Sequence, residues 1–321
     1  MSLNDVARKL KALDEFTIIA HISPDGDTIG SSLALLSMLK SLGKTAQVIC
    51  DGFIPKQYHF MLGETDIICL PEDALRYKNV IAVDCAAKDR LGTAQKHFDA
   101  AELSMCIDHH ETNSGYAELN YIDGKAASTG EIILRLADEL GILLDKEIAT
   151  RIYTAILTDT GRFCYSNTTP DTHRAAARLH EAGIDAAKIC SHIYQSEPIS
   201  KLMIQAKALE NLELHFGGRL AVTTITQSEM NAVRALSGDT DGIVEVLRSI
   251  EGVEVSVFIR EGKDGSYKVS LRSKEYVDVS GIAKRFAGGG HTHAAGFTSY
   301  KALKFTHDQL VNLVLKQLED R

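Results

Sequence analysis

His21, Asp25 and Asp27 stand on one short stretch, His21-Ile22-Ser23-Pro24-Asp25-Gly26-Asp27. One imidazole and two carboxylates on a single tight turn suit a hard divalent cation. The same residue types recur downstream: Asp84 alone, Asp108-His109-His110 together, and Asp159 within Thr158-Asp159-Thr160-Gly161. An Asp-Gly turn after a strand is common, so the first cluster is weak evidence by itself. Four such segments have one economical explanation, convergence on a single site.

Each segment follows an element able to aim it. Phe16–Ala20, Val80–Val83 and Leu103–Ile107 are apolar runs of strand length, and each delivers polar residues at its C-terminal end. Pro24 biases Ser23 toward an extended backbone, and Gly26 permits a sharp reversal. A helical stretch from Glu147 to Leu157 leads to Asp159. In open α/β sheets, ligands bind beyond the C-terminal ends of the strands.

The first domain, residues 1–195, alternates strand-like and helix-like runs, which predicts an α/β fold with a doubly wound, mostly parallel sheet. Thr28 to Leu42 has helical periodicity and is ended by Gly43, and Ala46–Cys50 is the next strand. Ala126–Leu140, Lys146–Leu157, Pro170–Glu181 and Asp185–Tyr194 are further expected helices. A helix near Ile199–Asn211 is expected to link this domain, over residues 196–211, to a smaller α+β domain over residues 212–321. There, Leu212–Phe216 with Leu220–Ile225, and Val253–Arg260 with Tyr267–Arg272, read as two hairpins. Helices follow near Ser280–Phe286 and Lys301–Leu318.

The second domain carries Gly288-Gly289-Gly290-His291. Successive glycines expose backbone N–H groups and let the chain approach a ligand closely. The competing reading is a plain surface loop. Arg272-Ser273 ends the second hairpin, and Arg272 is either a solvated edge charge or a fork for phosphate oxygens.

Composition narrows the partners. The 321 residues carry a net charge of −8, which argues against a broad, non-specific nucleic-acid surface but not against a small anionic substrate in a cleft. No apolar stretch has membrane-spanning length, and the first residues lack the pattern of a signal peptide, so a cytoplasmic protein is expected. Cys50, Cys69, Cys85, Cys106, Cys164 and Cys190 lack zinc-knuckle spacing and read as small hydrophobes in a reducing compartment.

The ordered set of His21-x-x-x-Asp25-x-Asp27, Asp84, Asp108-His109-His110, Asp159 and Gly288–His291 resembles the DHH phosphoesterases with their associated glycine-motif (DHHA1) domain, over nearly the whole chain. Within that family the organisation is similar to the bacterial nanoRNases that also dephosphorylate 3′-phosphoadenosine 5′-phosphate (pAp). The resemblance implies two divalent metal ions, usually Mn2+. One would take His21, Asp25 and Asp84. The other would take Asp27, Asp84, His109 and Asp159, with Asp84 bridging. Asp108 would orient a histidine ligand, and His110 would face the substrate phosphate. Arg272, Ser273, Gly288, Gly289, Gly290 and His291 would bind substrate, with the active site in a cleft between the domains. The four ligand aspartates and two divalent ions would nearly neutralise one another. Water activated between the cations would then attack phosphorus in line. Ser31 and Ser32 read as capping or packing residues rather than nucleophiles.

The expected reaction is hydrolysis of short oligoribonucleotides, about two to five residues, to 5′-mononucleotides, and of pAp to AMP; the low net charge favours short strands. The expected partners are these substrates, with no membrane, and a homodimer stays open. The alternatives are a hydrolase of linear or cyclic signalling dinucleotides, a single-strand exonuclease, and a non-catalytic nucleotide-binding module. An inorganic pyrophosphatase shares the first domain's pattern but not the glycine motif. A non-catalytic module would have lost metal ligands, and none is lost here.

Overall fold

The computed structural model describes residues 1–52, 54–64, 66 and 68–319. It divides into two compact units, Met1–Ser196 and Glu197–Arg321. The first contains helices α1 (Leu3–Ala12), α2 (Gly26–Ser41), α3 (Gln95–Asp99), α4 (Thr129–Leu140), α5 (Lys146–Asp159), α6 (Pro170–Glu181) and α7 (Ala186–Tyr194). Its strands are β1 (Phe16–Ala20), β2 (Ala46–Cys50), β3 (Ile68–Cys69), β4 (Asn79–Val83), β5 (Leu103–Asp108) and β6 (Leu119–Ile122).

These strands form one sheet in the order β3-β2-β1-β4-β5-β6, and every pairing is parallel. Both faces are covered. Ile18, Ala20, Ile81, Val83 and Ile107 pack on one side with α2, α4 and α5; Ile19, Ile49, Val80, Ala82 and Cys106 pack on the other with Leu91 and Phe98. Burial on both faces explains why the strands are continuous apolar runs rather than alternating ones. The chain order reverses beside β1, where β2 lies on one side and β4 on the other, which is where such sheets open a crevice.

Among the helix starts that differ from expectation, capping explains two in the first unit. Asp25 accepts the Thr28 N–H at 3.0 Å, so α2 begins at Gly26. Ser128 has an extended backbone and accepts the Glu131 N–H, so α4 begins at Thr129 rather than Ala126. The helices α2 and α5 approach closely because Gly30 has no Cβ; one there would run into Arg151 O and Ala155. Cys50, Cys85 and Cys106 are buried free thiols, Cys164 is exposed, and the side chain of Cys69 lies outside the described residues.

The second unit contains α8 (Ile199–Glu210), β7 (Glu213–His215), β8 (Leu220–Ile225), α9 (Gln227–Ala232), α10 (Ile243–Ser249), β9 (Val255–Glu261), β10 (Tyr267–Ser273), α11 (Val279–Lys284), β11 (Gly289–His291), β12 (Ala294–Ser299) and α12 (Leu303–Glu319). The sheet order is β11-β12-β10-β9-β8-β7; β8 and β9 run parallel and the other neighbours antiparallel. One face packs on α11 and α12 through Val257, Leu271, Ile282, Leu310 and Val314. The other packs on α8 and α10. The helix expected as a linker therefore belongs to this unit, because Ile204 and Ala208 are buried against Ile225, Ile243 and Phe258.

Candidate metal centre

The turn after β1 leads straight into α2. Ser23 adopts φ 53°, a left-handed conformation rather than the extended one expected before Pro24, so the surrounding packing overrides the local bias. Asp25 stays exposed at the helix N-cap, while Asp27, two residues on in the first turn, is buried. Asp27 is held by the start of α4: Thr129 N–H donates to its Oδ2 at 2.7 Å and Gly130 N–H to its Oδ1 at 2.9 Å. Ser31 Oγ also donates to Oδ1, at 2.9 Å. A helix N-terminus aimed at a carboxylate stabilises its ionised form. The approach needs small residues, since a Cβ on Gly26 would meet Thr158 and one on Gly130 would meet Ala155.

Asp84 lies at the centre. It follows β4 with φ 56°, strained for a residue with a Cβ, and its N–H donates to Ile107 O at 3.0 Å. Thr28 Oγ1 donates to Oδ2 at 2.6 Å, and Thr129 Oγ1 donates to Oδ1 at 2.9 Å. The two oxygens face different neighbours: Oδ2 is 3.8 Å from His21 Nε2, and Oδ1 is 3.6 Å from His109 Nε2. Donor atoms of His21, Asp25 and Asp84 lie within 4.8 Å of one another, as do those of Asp27, His109 and Asp159. His109 Nε2 is 3.8 Å from Asp27 Oδ2 and 3.6 Å from Asp159 Oδ2.

The imidazoles are oriented for ligation. His21 Nδ1 lies 2.8 Å from Ile22 O, and His109 Nδ1 lies 3.3 Å from Ala126 O. Each Nδ1–H donated to a carbonyl leaves the Nε2 lone pair facing the carboxylates.

The electrostatics fit a cation. Burial, then the charges of Asp84, Asp159 and Asp25, pushes Asp27 well above the usual carboxylate range. Burial and Asp25 push Asp84 up to about 6, against the opposing Thr28 hydrogen bond and the two histidines. Asp159 is raised mainly by burial. Carboxylates this close resist ionising together unless positive charge lies among them. Oxygen-rich donors with two imidazoles are the set that a divalent metal supplies with that charge.

Asp108 has a different neighbour from the one expected. Its Oδ1 accepts His110 Nδ1–H at 2.7 Å, and its Oδ2 accepts Asn113 Nδ2–H at 2.6 Å. The ring it orients is thus His110, and it reaches His109 only through the backbone N–H, at 2.9 Å. Burial would raise Asp108, but the His110 and Asn113 hydrogen bonds prevail and hold it low. The Asp108 hydrogen bond in turn raises His110 above its ordinary value. The Asp108 carboxylate beside the ring thus favours its protonated form.

Thr28, Thr129, Asn113 and Arg90 also reach the site, though no motif in the sequence marks them. The Arg90 guanidinium lies 3.1 Å from His21 Nδ1, and Arg90 O accepts Ile22 N–H at 2.9 Å. Their shared signal is weak: each follows or faces an acidic turn, but only the fold brings it there.

In the second unit, Arg272 Nε donates to Glu245 Oε1 at 2.9 Å, and the arginine lines a cavity of about 350 Å³ with Thr240, Asp241, Arg260 and Lys268. Ser273 is buried; its Oγ donates to Val277 O at 2.6 Å and lies 2.9 Å from Nδ1 of the exposed His293. The glycine motif is an edge strand rather than a loop, with Gly289–His291 paired to Ala294–Gly296. A Cβ on Gly288 would run into Gly296 O and Phe297, and one on Gly290 (φ 141°) into Ala294 O and Ala295. A Cβ on Gly289 would meet nothing within 4 Å. Arg272, Ala294 and His291 stand opposite one another across β10, β12 and β11, so their side chains share one face over about 10 Å.

Residues 15–156 match the DHH family, N-terminal domain, and residues 217–320 match the DHHA1 domain. This chain belongs to the DHH family. It is 38% identical to the Thermus thermophilus bifunctional oligoribonuclease and PAP phosphatase NrnA, over 91% of this chain and 87% of that protein. It is 33% identical to a probable bifunctional oligoribonuclease and PAP phosphatase NrnA of Streptococcus mutans, over 92% and 93%. A solved structure, that of an exopolyphosphatase-related protein from Bacteroides fragilis, superposes with a TM-score of 0.89 at 28% identity and covers 99% of this chain and 96% of that one. Among the described residues, no helix of this DHH protein is long and apolar enough to cross a membrane.

Proposed function

We propose that this DHH protein is a metal-dependent phosphoesterase that cuts short oligoribonucleotides to 5′-mononucleotides and converts pAp to AMP. The observation that carries the chemistry is Asp84, whose two oxygens face two separate donor groups. The substrate class follows the names of two relatives that match this chain over nine-tenths of its length.

His21, Asp25 and Asp84 would hold one ion, and Asp27, Asp84, His109 and Asp159 a second. When bound, divalent cations, manganese by the family pattern, lower the pKa of water and offset charge on phosphoryl oxygens. Thr28 and Thr129 fix the rotamer of Asp84, so both oxygens keep their aim. The start of α4 fixes Asp27 in the same way. His110, whose protonated form Asp108 favours, donates to the phosphate and stabilises charge that grows during transfer. The direct test is release of inorganic phosphate and AMP from pAp in the presence of manganese. No release from metal-loaded, folded protein overturns the reading.

The neighbouring histidines should separate by role. His109→Ala should weaken metal binding, because it removes the nitrogen between Asp27, Asp84 and Asp159. His110→Ala should retain metal and lose about 10²- to 10³-fold in kcat, the scale of one proton-donating group. Calorimetric manganese titration alongside kinetics checks both; equal loss of metal in the two variants rejects the assignment.

The glycine motif is expected to take the substrate backbone or phosphate along β11, with Arg272 and His291 on the shared face. Gly289→Ala places a methyl group in open space, so stability should be unchanged. If substrate lies against that backbone, KM should rise about tenfold, a loss of ~1.4 kcal/mol. Gly288→Ala and Gly290→Ala should instead lower the melting temperature, because their Cβ atoms collide with β12. An unaltered KM in Gly289→Ala would leave the motif with a packing role alone.

A further inference from the structure

The second unit holds a cluster that the hydrolytic chemistry does not use. Glu213 and His215 alternate along the edge strand β7, so both side chains lie on one side of it. His307, in the first turns of α12, faces them. Glu213 Oε2 is 3.4 Å from His215 Nε2 and 3.3 Å from His307 Nε2. Donor atoms of all three lie within 4.8 Å of one another.

Both Nε2 atoms are shielded from solvent and make no hydrogen bond among the described residues. A buried nitrogen without a hydrogen bond is costly, and two of them facing one carboxylate oxygen, each too poorly aligned to bond it, suit a shared third party. The spacing identifies it. Ligands around a tetrahedral ion at ~2.0–2.1 Å stand about 3.3 Å apart, which matches both nitrogen–carboxylate separations. The outer nitrogen of His307 is 3.4 Å from Asp308 Oδ1. A carboxylate behind a ligating histidine fixes the tautomer that leaves Nε2 free.

We propose that Glu213, His215 and His307 form a zinc-type metal site that pins the edge strand β7 to helix α12. Two imidazoles and one carboxylate favour Zn2+ over Mn2+ or Mg2+, in contrast to the carboxylate-rich centre of the first unit. Three protein ligands leave a fourth position for water or an outside donor. The site also secures a three-residue edge strand that has a neighbour on one side only.

The test uses the full chain. Wild type, His307→Ala and His215→Gln are dialysed against micromolar Zn2+ and their metal content is measured. All three keep the acidic centre unchanged, so the difference between them isolates this site. Wild type should carry one more zinc per chain than either variant, and zinc should raise its melting temperature more than theirs. Tetrahedral Co2+ should give an intense visible band in wild type that both variants lose. If either histidine variant fails to fold, Glu213→Gln replaces it, since Glu213 is exposed and its loss leaves no buried charge. Equal zinc content and equal cobalt spectra in wild type and folded variants overturn the proposal.

Discussion

Asp84→Asn should lower phosphoester hydrolysis by about 10³-fold or more and still fold. Asparagine keeps the shape of the side chain, tolerates the left-handed backbone at φ 56°, and still accepts a hydroxyl hydrogen bond. What it loses is the charge and one of the two ligand oxygens. A metal's electrostatic contribution to the transition state is several kcal/mol, and each 1.36 kcal/mol is a factor of ten. Stability should move the opposite way. Burial and the Asp25 charge push the folded-state Asp84 carboxyl up to about 6, above the ordinary aspartate range, so in chelator its contribution is intact at low pH and is lost as pH rises through about 6. The loss is about 3 kcal/mol for this group alone. Metal-free wild type should therefore weaken between pH 4 and pH 7, and Asp84→Asn should lack that part of the decline. Urea unfolding in chelator at several pH values reads the stability, and manganese-saturated kinetics read the rate. Near-normal turnover in the variant contradicts a bridging role.

Arg151→Ala should cost roughly 3–5 kcal/mol and lower the melting temperature by roughly 10 °C. Its guanidinium is fully buried between α2 and α5. Nε and Nη2 donate to Met61 O at 3.1 and 2.8 Å, Nη1 donates to Leu33 O at 3.1 Å, and Nη2 donates to Asp66 Oδ2 at 2.5 Å. Removing it takes the nearer cation from the buried Asp66 carboxylate, which keeps Lys40 Nζ at 3.4 Å and the Gly63 N–H at 2.7 Å, and takes donors from the Met61 and Leu33 carbonyls at the same time. Arg151→Ala with Asp66→Asn should recover part of the loss, because the buried charge that lost its nearer cation is gone. Denaturation of the two variants decides this; a single variant within 1 kcal/mol of wild type shows that the buried pair does not support α2–α5 packing.

The candidate metal centre was legible because its acidic and histidine residues fall close to where strands stop. Phe16–Ala20, Asn79–Val83 and Leu103–Asp108 are buried on both faces, so each reads as an apolar run with polar residues at its end. The helices α5 and α6 were equally plain from periodicity and from Pro170 at a helix start. What escaped notice depends on residues distant in sequence. Thr28 and Thr129 matter because α2 and α4 both meet Asp84. Arg151 looks like an ordinary surface charge on a helix until α2, Met61 and Asp66 close around it. Asp108 holds His110 rather than the ring of His109, a choice between adjacent residues that only side-chain direction settles. The glycine motif reads as a loop because glycine disfavours strands, yet β12 leaves room for a strand only where Gly288 and Gly290 lack Cβ atoms.

The proposed activity is tested most directly by initial rates, at saturating manganese, on one panel: pAp, dinucleotide RNA, five-nucleotide RNA, a long single strand and cyclic dinucleotides. A net charge of −8 gives long strands little added attraction. The account predicts phosphate release from pAp and mononucleotides from the short RNAs, at higher rates per enzyme than from the long strand or the cyclic dinucleotides. Faster cleavage of the long strand, or cleavage of cyclic dinucleotides with none of pAp and short RNA, contradicts it.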